Sequence, residues 1–451
     1  MPYGATRNIP VRVPLATRPL GLIATARAAR RNLLELIPAI ATERPMISAK
    51  TAIRWHMVME PRFLEHILKD NVANYPKSTV TKSLLRPAIG ESLFIAEGAE
   101  WRWQRRAAAP AFAHRNVTAL APVMSAAAEA TSARLARTTG PVDLYAEAIA
   151  ATFDVISDVT FSGSEGFDRA AVHRAIDAYI ARTARVSLMD VAGIPDWIPR
   201  PSRIFGGRDL RRMKALADEA ITARAATGPR IPPDLLDLLR AGQDDETGRT
   251  MTEAELRDNL LTFIVAGHET TALTLAWALY LCAFDEAEQD RASAQAREVL
   301  GDRVAGADDV AALDLTARIV NESLRLYPPA AFLSRTAREA DRLGAREIRP
   351  GDTVMLPIYA LHRSKLHWDE PDAFRPARFA PDVTRDRFAF LPFGAGPRIC
   401  IGASFALQEA VIILATLLAR HRFVLTERQP VPRLILTLRP EGGVWLRVTP
   451  R

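Results

Sequence analysis

Cysteine is almost missing from this chain of 451 residues, which contains only Cys282 and Cys400. Two cysteines so far apart provide no disulfide framework, and the sequence has no CxxC and no paired Cys/His spacing typical of zinc. We therefore expect neither a disulfide-stabilised module nor a zinc domain, but a protein of a reducing compartment, the cytoplasm. Cys282 lies in the apolar run ALYLCAF and is interpreted as a small buried hydrophobic residue.

Long uncharged apolar runs and blocks of one charge are missing as well. The most apolar early stretch, LGLIATARAARRNLLELIPAIA, contains three arginines, so we predict neither a membrane span nor a signal peptide. No acidic residue precedes Glu35, as in transit peptides, but prolines 2, 10, 14 and 19 interrupt any amphipathic helix there. The net charge of +7 (59 − 52) is spread along the chain, which argues against nucleic acid as a partner and is weak support for an acidic partner protein.

Helical periodicity dominates from residue 100 to about residue 300, and β-branched alternation around a Pro–Gly turn follows at 334–362. Stretches rich in proline or polar residues, at 192–207 and 241–250, are predicted as loops. A last β-rich segment, 432–449, is predicted as a hairpin that turns at Glu441–Gly443. Because no linker is evident, we predict a single domain over residues 1–451, mainly α with a minor β part.

One long segment predicts a helix that contains unfavourable residues. TEAELRDNLLTFIVAGHETTALTLAWALYLCAF begins with the capping box of Thr252 and Glu255 and continues for about 32 residues. From Leu260 onward it is apolar nearly all round, so it should cross the core. Gly267 and the acid Glu269 break this pattern within the motif AGHETT, as is typical of a functional site. A helix-packing glycine or a solvated polar notch is the alternative.

Two other patterns place an arginine one helical turn from a second polar group. Glu322 and Arg325 lie three residues apart in ESLRLYPP, which by itself is typical of a surface ion pair. Trp101 and Arg105 lie four residues apart in EWRWQRR. The indole N–H and the guanidinium on one face can bind an anion, although an ordinary amphipathic helix produces the same pattern.

The second cysteine lies in FGAGPRICIG, directly before a long apolar helix. The glycines allow tight turns and close approach to a flat ligand, and a helix N-terminus lowers the pKa of a thiol. Cys400 is therefore predicted to be a thiolate that acts as a nucleophile or a metal ligand. His421 lies at the far end of the helix, about 30 Å away, which weakens the nucleophile interpretation. A lone thiolate suits a metal whose other positions are filled by a macrocycle, as in haem.

Together these motifs resemble those of the cytochrome P450 superfamily, the haem-thiolate monooxygenases. FGAGPRICIG is similar to the family's haem-binding motif, AGHETT to its oxygen-activating helix motif, ESLR to its ExxR motif and WRWQR to its WxxxR motif. PARF, which contains Arg378, resembles the PERF-type segment, with alanine where glutamate is common. The resemblance implies a P450-like fold similar to soluble bacterial members, with haem between the long helix and the cysteine loop and helix.

The resemblance also implies a cofactor, heme b (iron protoporphyrin IX), with Cys400 as the axial ligand of the iron. Phe393 would keep water from the sulfur, and arginine and tryptophan side chains would bind the haem propionates. The residues implied to hold the cofactor are Cys400, Arg398, Phe393, Trp101, Arg105, Arg335, Gly394 and Gly402. Glu322, Arg325 and Arg378 would form a buried network that serves the fold and haem retention.

On the opposite side of the cofactor, the resemblance assigns three residues to oxygen activation. Gly267 would leave space for dioxygen, Thr270 would donate a hydrogen bond to it, and Glu269 would relay protons from water. The substrate wall implied by position comprises Ile264, Ala266, Ala330, Ala331, Phe332, Leu436 and Thr437, with residues 79–94 as a roof. Because these wall positions are small or apolar, we expect a mainly hydrophobic substrate.

The resemblance further implies a monomer that receives electrons from NAD(P)H through separate proteins, ferredoxin or flavodoxin and its reductase. Arginines 102, 105, 106 and 115 could dock an acidic ferredoxin or could simply add solubility. One alternative is a haem-thiolate peroxygenase, isomerase or dehydratase, but such enzymes tend to lack the acid–threonine pair, so Glu269 and Thr270 favour oxygen activation. The other is a non-catalytic haem sensor, which needs neither a thiolate nor a proton relay.

Overall fold

The computed structural model describes residues 9–18, 20–50, 53–161 and 207–451. The predicted loop at 192–207 lies outside the described residues, apart from Gly207 at the start of a helix. The chain divides into two compact units, here called the first unit and the second unit, and a single domain over 1–451 stays a prediction. The first unit comprises Met1–Pro76, Met124–Ala151 and Thr270–Arg451, and the second comprises Lys77–Val123 and Thr152–Glu269.

Helices make up most of the described chain, as the sequence predicts. The α-helices are α1 (Leu22–Arg31), α2 (Pro61–Glu65), α3 (Thr79–Ile89), α4 (Gly98–Ala108), α5 (His114–Ala119), α6 (Ala121–Leu135), α7 (Leu144–Phe161), α8 (Gly207–Thr227), α9 (Leu235–Ala241), α10 (Glu253–Phe284), α11 (Glu286–Leu300), α12 (Asp314–Leu326), α13 (Ile358–Leu361) and α14 (Ala403–Arg420).

The described strands all belong to the first unit and form small sheets. They are β1 (Met46–Lys50), β2 (Arg54–Val58), β3 (Pro141–Asp143), β4 (Leu333–Thr336), β5 (Asp341–Leu343), β6 (Arg346–Ile348), β7 (Thr353–Leu356), β8 (His421–Leu425), β9 (Val431–Leu434), β10 (Leu438–Glu441) and β11 (Trp445–Pro450). The largest sheet has the order β1-β2-β7-β4, and a second has the order β3-β11-β8. The predicted β-rich segment 334–362 contains β4, β5, β6 and β7, but its last part forms the helix α13 instead. Strands β1 and β2 extend the β part to the N-terminal region, where none was predicted.

The C-terminal segment contains a hairpin, but the position predicted for its turn is wrong. The strands that pair are β9 and β10, so the hairpin turns at 435–437 rather than at Glu441–Gly443. The two glycines after β10 have positive φ values of 79° and 88° and lead into β11, which pairs with β8 and β3 instead. A Gly–Gly pair indicates where the chain turns, but tertiary contacts decide which strand follows as the partner.

The long helix α10 is confirmed, and its N-terminal capping box is present. The Glu255 N–H donates to the Thr252 hydroxyl (3.3 Å), and the Thr252 N–H donates to the Glu255 carboxylate (2.9 Å). Every residue from Leu273 to Cys282 is buried, and Trp277, Tyr280 and Cys282 have no exposed surface. This half of the helix therefore lies in the core of the first unit. The turn predicted at 241–250 is also present, closed by a bridge between Gln243 and Thr250.

The N-terminal residues, for which the sequence predicts no role, are fixed in the core of the first unit by three tyrosines. The Val11 N–H donates to the Tyr280 hydroxyl (3.0 Å), and the Tyr327 hydroxyl donates to the Val11 carbonyl (2.6 Å). The Val13 N–H donates to the Tyr359 hydroxyl (2.9 Å). Each buried phenol thus has a backbone partner, which compensates for the cost of burying a polar group.

The helix after the cysteine loop, α14, is the one helix of the described residues that is long and apolar enough to cross a bilayer. Most of its residues, 61%, are buried in the protein, as in a core helix. One of them is an acid: Glu409 is 2% exposed, and its Oε1 has no hydrogen-bond partner among the described residues. Burial raises the pKa of Glu409 to about 8, although a hydrogen bond with the Thr271 side chain opposes the shift.

The raised pKa of Glu409 makes folding stability depend on pH. The folded protein holds a proton that the unfolded chain releases above its usual pKa of 4.5, so stability is expected to fall as pH rises from 4.5 to about 8. Glu409→Gln should remove this dependence, which amounts to at most about 1.4 kcal/mol per pH unit. Urea unfolding at several pH values measures it, with the exposed Glu298→Gln as control. Parallel pH profiles of E409Q and wild type would contradict a neutral buried acid.

Candidate active site

The loop that contains Cys400 folds back on itself before α14 begins. The Cys400 N–H donates to the Phe393 carbonyl (2.9 Å), across a short 3-10 helix at Gly396–Arg398. The Cys400 side chain is exposed, and Phe393 and Arg398 are half-buried. Gly402 is the N-cap residue of α14. Because it has no side chain, it accepts no hydrogen bond from the first N–H groups of the helix. Such groups stabilise a thiolate, which is the state predicted for Cys400.

Two glycines of this loop are required by the backbone itself. Gly394 and Gly396 have φ values of 71° and 69°, in the left-handed region that favours glycine. A Cβ at Gly396 would lie 1.9 Å from the carbonyl oxygen of Leu68, so no other residue fits there without a shift of the backbone. The close contact with Leu68 is therefore sufficient to explain why residue 396 is glycine, without the predicted approach of a ligand.

Beside this loop in the first unit, Glu322 and Arg325 form a fully buried pair on α12. Both side chains have no exposed surface, so the alternative of a surface ion pair is wrong. Arg325 donates through Nε and Nη2 to the two carboxylate oxygens of Glu322, at 2.6 and 2.8 Å. Its remaining N–H groups donate to the carbonyls of His362 (2.8 Å), Pro371 (2.6 Å) and Ala373 (2.9 Å). All five guanidinium donors are therefore used.

Arg378 joins the same network, as the sequence predicts. Its Nε lies 3.5 Å from Glu322 Oε1, and its Nη2 donates to the Glu370 carbonyl at 2.8 Å. Glu322 Oε1 also accepts from the Arg375 N–H (2.8 Å). Burial, followed by the nearby charge of Arg325, lowers the pKa of Arg378. One carboxylate thus faces the buried Arg325 and the largely buried Arg378, which makes Glu322 the residue whose loss would leave most charge unpaired.

His362 is a member of this network that the sequence reasoning missed. It has no exposed surface, its Nε2 accepts from the Leu391 N–H (2.8 Å), and its Nδ1 lies 3.3 Å from the Arg325 carbonyl. Burial lowers its pKa to about 3, so it is neutral, with the proton assigned to Nδ1 by these partners. Leu391 lies two residues before Phe393, so His362 links the buried arginine to the cysteine loop. No sequence spacing indicates this link.

Besides Arg398, the first unit contains one more arginine that is predicted to hold the cofactor, Arg335 on β4. It is 7% exposed, pairs across the sheet with Val354, and donates through Nη1 to the Ser334 carbonyl (3.1 Å). Among the described residues, no group of three or more His, Cys, Asp or Glu side chains could hold a metal ion. A single exposed thiol together with arginines therefore fits a cofactor that brings its own ring ligands and acidic groups, as haem does.

In the second unit, Trp101 and Arg105 lie one turn apart on α4, as predicted, and both are half-buried. Their neighbour Trp103 is buried under the guanidinium of Arg249, whose Cζ lies 3.8 Å from the indole centroid. Arg106 forms ion pairs with Asp244 and Glu246, so it adds less free positive charge than the predicted docking patch assumes. Arg102 and Arg115 are exposed.

The AGHETT segment lies in the middle of α10, as predicted. Glu269 is 3% exposed, and Thr270 is half-buried and accepts at its carbonyl from the Thr274 hydroxyl (2.9 Å). His268 is buried, and its Nδ1 lies 2.8 Å from the Ile264 carbonyl. A Cβ at Gly267 would lie 3.4 Å from Ile156 Cδ1 on α7, which agrees with the alternative of a helix-packing glycine. The space for dioxygen stays a prediction.

The residues predicted to form the substrate wall differ in exposure. Ile264 has no exposed surface, and Ala266 on the same helix is exposed. In the first unit, Ala331 is buried and its carbonyl accepts from the Tyr359 N–H (3.0 Å), whereas Ala330 is exposed and Phe332 half-buried. Leu436 is half-buried and Thr437 is 8% exposed, both in the turn between β9 and β10.

Comparisons with known proteins agree with this arrangement. A family model described as Cytochrome P450 matches residues 50–446. Cyclooctatin synthase from Streptomyces melanosporofaciens is 31% identical over 415 residues, which cover 91% of this chain and 89% of that protein. Cytokinin hydroxylase from Arabidopsis thaliana is 32% identical and covers 87% and 78%. The crystal structure of the cytochrome P450DA heme domain matches with a TM-score of 0.80 at 27% identity and covers 90% of each chain.

Loss of the Arg325 guanidinium should destabilise the first unit strongly, because it leaves Glu322 buried and unpaired. We expect Arg325→Ala to lower the free energy of unfolding by about 3–5 kcal/mol. A matched control is Arg291→Ala, since Arg291 also faces a glutamate three residues away, Glu288, but is 65% exposed. Its loss should cost at most about 1 kcal/mol. Equal losses in guanidinium chloride unfolding would contradict the structural role of the buried pair.

Proposed function

This chain belongs to the cytochrome P450 family and is a haem-dependent monooxygenase, and on this premise we propose that it oxidises a mainly hydrophobic small molecule with electrons from NAD(P)H. Ferredoxin or flavodoxin and its reductase deliver the electrons. The observation that carries the proposal is one thiol, Cys400, exposed just before an apolar helix, in a chain whose described residues include no group of three or more His, Cys, Asp or Glu side chains that could hold a metal ion. We further propose a cytoplasmic monomer.

The proposed cofactor is heme b, which the thiolate of Cys400 would hold. The chain contains one other cysteine, and Cys282 is fully buried in α10, which supports a cofactor without thioether links to paired cysteines. Burial also raises the pKa of the Cys282 thiol, which keeps that residue neutral. When bound, the haem supplies the binding and reductive activation of dioxygen.

Acidic groups of the cofactor are proposed to be bound by cationic and indole donors. The residues proposed for this role are Arg335, Arg398, Trp101 and Arg105. The burial of Arg335 supports this role, because a charge-assisted hydrogen bond is stronger where water is excluded. Phe393 is proposed to exclude water from the sulfur of Cys400, with Gly394 and Gly402 giving the loop its course.

Proton delivery is proposed for the adjacent pair in the middle of α10. Glu269 is an acid in the part of α10 that is largely apolar, from Leu260 onward, and it is proposed to take up and release protons from water. The Thr270 hydroxyl orients the proton toward the dioxygen side, and Gly267 keeps that stretch of the helix free of a side chain. This pair supports oxygen activation over the isomerase, dehydratase and sensor alternatives, none of which needs a proton relay.

The network of Glu322, Arg325 and Arg378 is proposed to hold the cysteine loop for haem retention, not to take part in the chemistry. Its buried geometry supports this role: Arg325 bonds the carbonyl of His362, and His362 accepts the N–H of Leu391 just before the loop. A group that only positions others needs no exposure to substrate, and none of these three side chains is more than 10% exposed.

The proposed substrate is mainly hydrophobic because the wall positions are small or apolar. Ile264, Ala331 and Leu436 carry no polar side-chain atoms, and one related protein is named cytokinin hydroxylase, which supports hydroxylation as the reaction type. For electron delivery, the exposed Arg102 and Arg115 are the residues proposed to contact an acidic partner protein.

Thiolate ligation can be tested by reducing the purified protein and adding carbon monoxide. We expect the red-shifted Soret band typical of a thiolate ligand, and Cys400→His should move it to the position typical of histidine ligation. Cys282→Ala is the matched control and should leave the band unchanged, because Cys282 is buried in the apolar core. A thiolate spectrum that persists in C400H would sink the assignment of the axial ligand.

The proton relay can be tested with a compound that shifts the Soret band of the ferric protein on binding. In Thr270→Val, we expect product per NAD(P)H to fall about tenfold while peroxide rises, because protons no longer reach dioxygen in time. Thr270→Ser should restore most of the yield. Thr274→Val, whose hydroxyl is bound to the Thr270 carbonyl, is the control. Unchanged coupling in T270V would contradict the role of Thr270.

A further inference from the structure

The turn between β9 and β10, residues 435–437, contains two of the proposed substrate-wall residues and is called the hairpin tip below. The hairpin itself has only two strands, with Leu434 paired to Leu438 next to the tip. Within the tip, the Ile435 N–H donates to the Thr437 carbonyl (3.2 Å). Because a two-stranded hairpin is at best marginally stable alone, contacts with other segments must fix where the tip lies.

On the β10 side, the hairpin is held by two segments that are themselves proposed to form the substrate wall. The Trp277 indole N–H of α10 donates to the Leu438 carbonyl (3.2 Å). The Leu438 N–H donates to the carbonyl of Pro329, which directly precedes Ala330 (3.0 Å). Leu438 has no exposed surface, so these bonds are shielded from water.

On the β9 side, the hairpin is held by one buried side chain from the N-terminal region, Asn32. Its Nδ2 donates to the Pro432 carbonyl (2.9 Å), and its Oδ1 accepts from the Leu434 N–H (3.1 Å). Residues two apart on a strand present their N–H and C=O groups on the same edge, so the amide of Asn32 pairs with β9 as a peptide group of another strand would. Asn32 is 1% exposed.

The position of Asn32 is fixed by its own surroundings. Its N–H donates to the Ala28 carbonyl at the end of α1 (2.7 Å), and its Oδ1 also accepts from the Leu34 N–H (3.2 Å). The Arg30 carbonyl accepts from Arg433 Nη2 on β9 (3.0 Å), a second bond between the same two segments. A donor and an acceptor are both in use, so neither aspartate nor alanine can make the same contacts.

We infer that Asn32 is a specificity-determining positioning residue: through the edge of β9 it fixes the hairpin tip and thereby the length of substrate that fits beside Leu436 and Thr437. The inference rests on the proposed function, since it takes the tip to line the substrate site. It assigns a role to the N-terminal region, for which no motif is present in the sequence. Asn32 contacts no substrate itself and acts through the backbone of Pro432 and Leu434.

The experiment measures binding of imidazole and of N-alkylimidazoles of rising chain length to the ferric holoprotein, followed by the Soret shift. The affinity of imidazole depends only on binding at the haem iron. The affinity of the N-alkylimidazoles depends in addition on how the alkyl chain fits against the substrate wall. In Asn32→Ala, we expect the Kd of imidazole to stay within about twofold and the Kd of the longest well-bound member to change about tenfold, as for the loss of two hydrogen bonds. Asn32→Asp should act in the same direction, since it keeps the acceptor but loses the donor.

The matched control is Asn74→Ala. Asn74 is also buried, at 7% exposure, and its amide also holds backbone groups, with Oδ1 accepting from the N–H groups of Arg338 (3.0 Å) and Glu339 (2.7 Å). It should lower stability to a similar extent but leave the chain-length profile unchanged. Amide hydrogen exchange adds a readout that needs no cofactor: exchange at Leu434 should accelerate in N32A and not in N74A.

The outcomes separate the inference from the function on which it rests. If N32A and N74A give the wild-type chain-length profile while imidazole binds normally, Asn32 is only structural and the inference is overturned. If the wild-type protein binds neither haem nor imidazole, the proposed function fails, and the inference fails with it. Should N32A not retain haem, Asn32→Ser carries the same measurement, because its hydroxyl replaces at most one of the two bonds to β9.

Discussion

The buried guanidinium of Arg325 is the contact on which the rest of the first unit depends. Its five donors bond one carboxylate and three backbone carbonyls, all away from water. Charge-assisted bonds of this kind are favourable only when every donor and acceptor is paired, so the segments that supply the carbonyls have one permitted arrangement. Through His362 and Leu391, this arrangement extends to the loop that presents Cys400.

Buried polar side chains that bind backbone groups also fix the position of other segments of the first unit. Asn32 pairs with the edge of β9, and tyrosine hydroxyls bind the backbone of Val11 and Val13. Each is a polar side chain that is buried and satisfied by main-chain groups, so each specifies geometry more strongly than an apolar contact could. The helices, in contrast, are held by apolar packing: α14 from Glu409 onward and the second half of α10 lie almost wholly inside the protein.

Departures from the sequence-based expectations have physical causes that can be named. The C-terminal hairpin was expected at the Gly–Gly pair, but β11 finds its partners in β8 and β3, which are distant in sequence. The cysteine loop shows that Gly396 is a special position, yet the sequence could not say that the backbone of Leu68 is the neighbour that requires glycine there. Glu409 was overlooked because a single acid in an apolar helix does not reveal whether it is exposed or buried.

The sequence by itself determined the local features: the capping box and length of α10, the cysteine loop ahead of α14, and the motifs that identify the family. These depend on residues close together in the chain, where spacing and residue type are enough to define the chemistry. The tertiary structure alone decided that His362 joins the buried pair of Glu322 and Arg325 to the cysteine loop, and that Asn32 holds a strand 400 residues away. Such contacts depend on which surfaces meet when the core closes, and residues far apart in the chain carry no local pattern that records it.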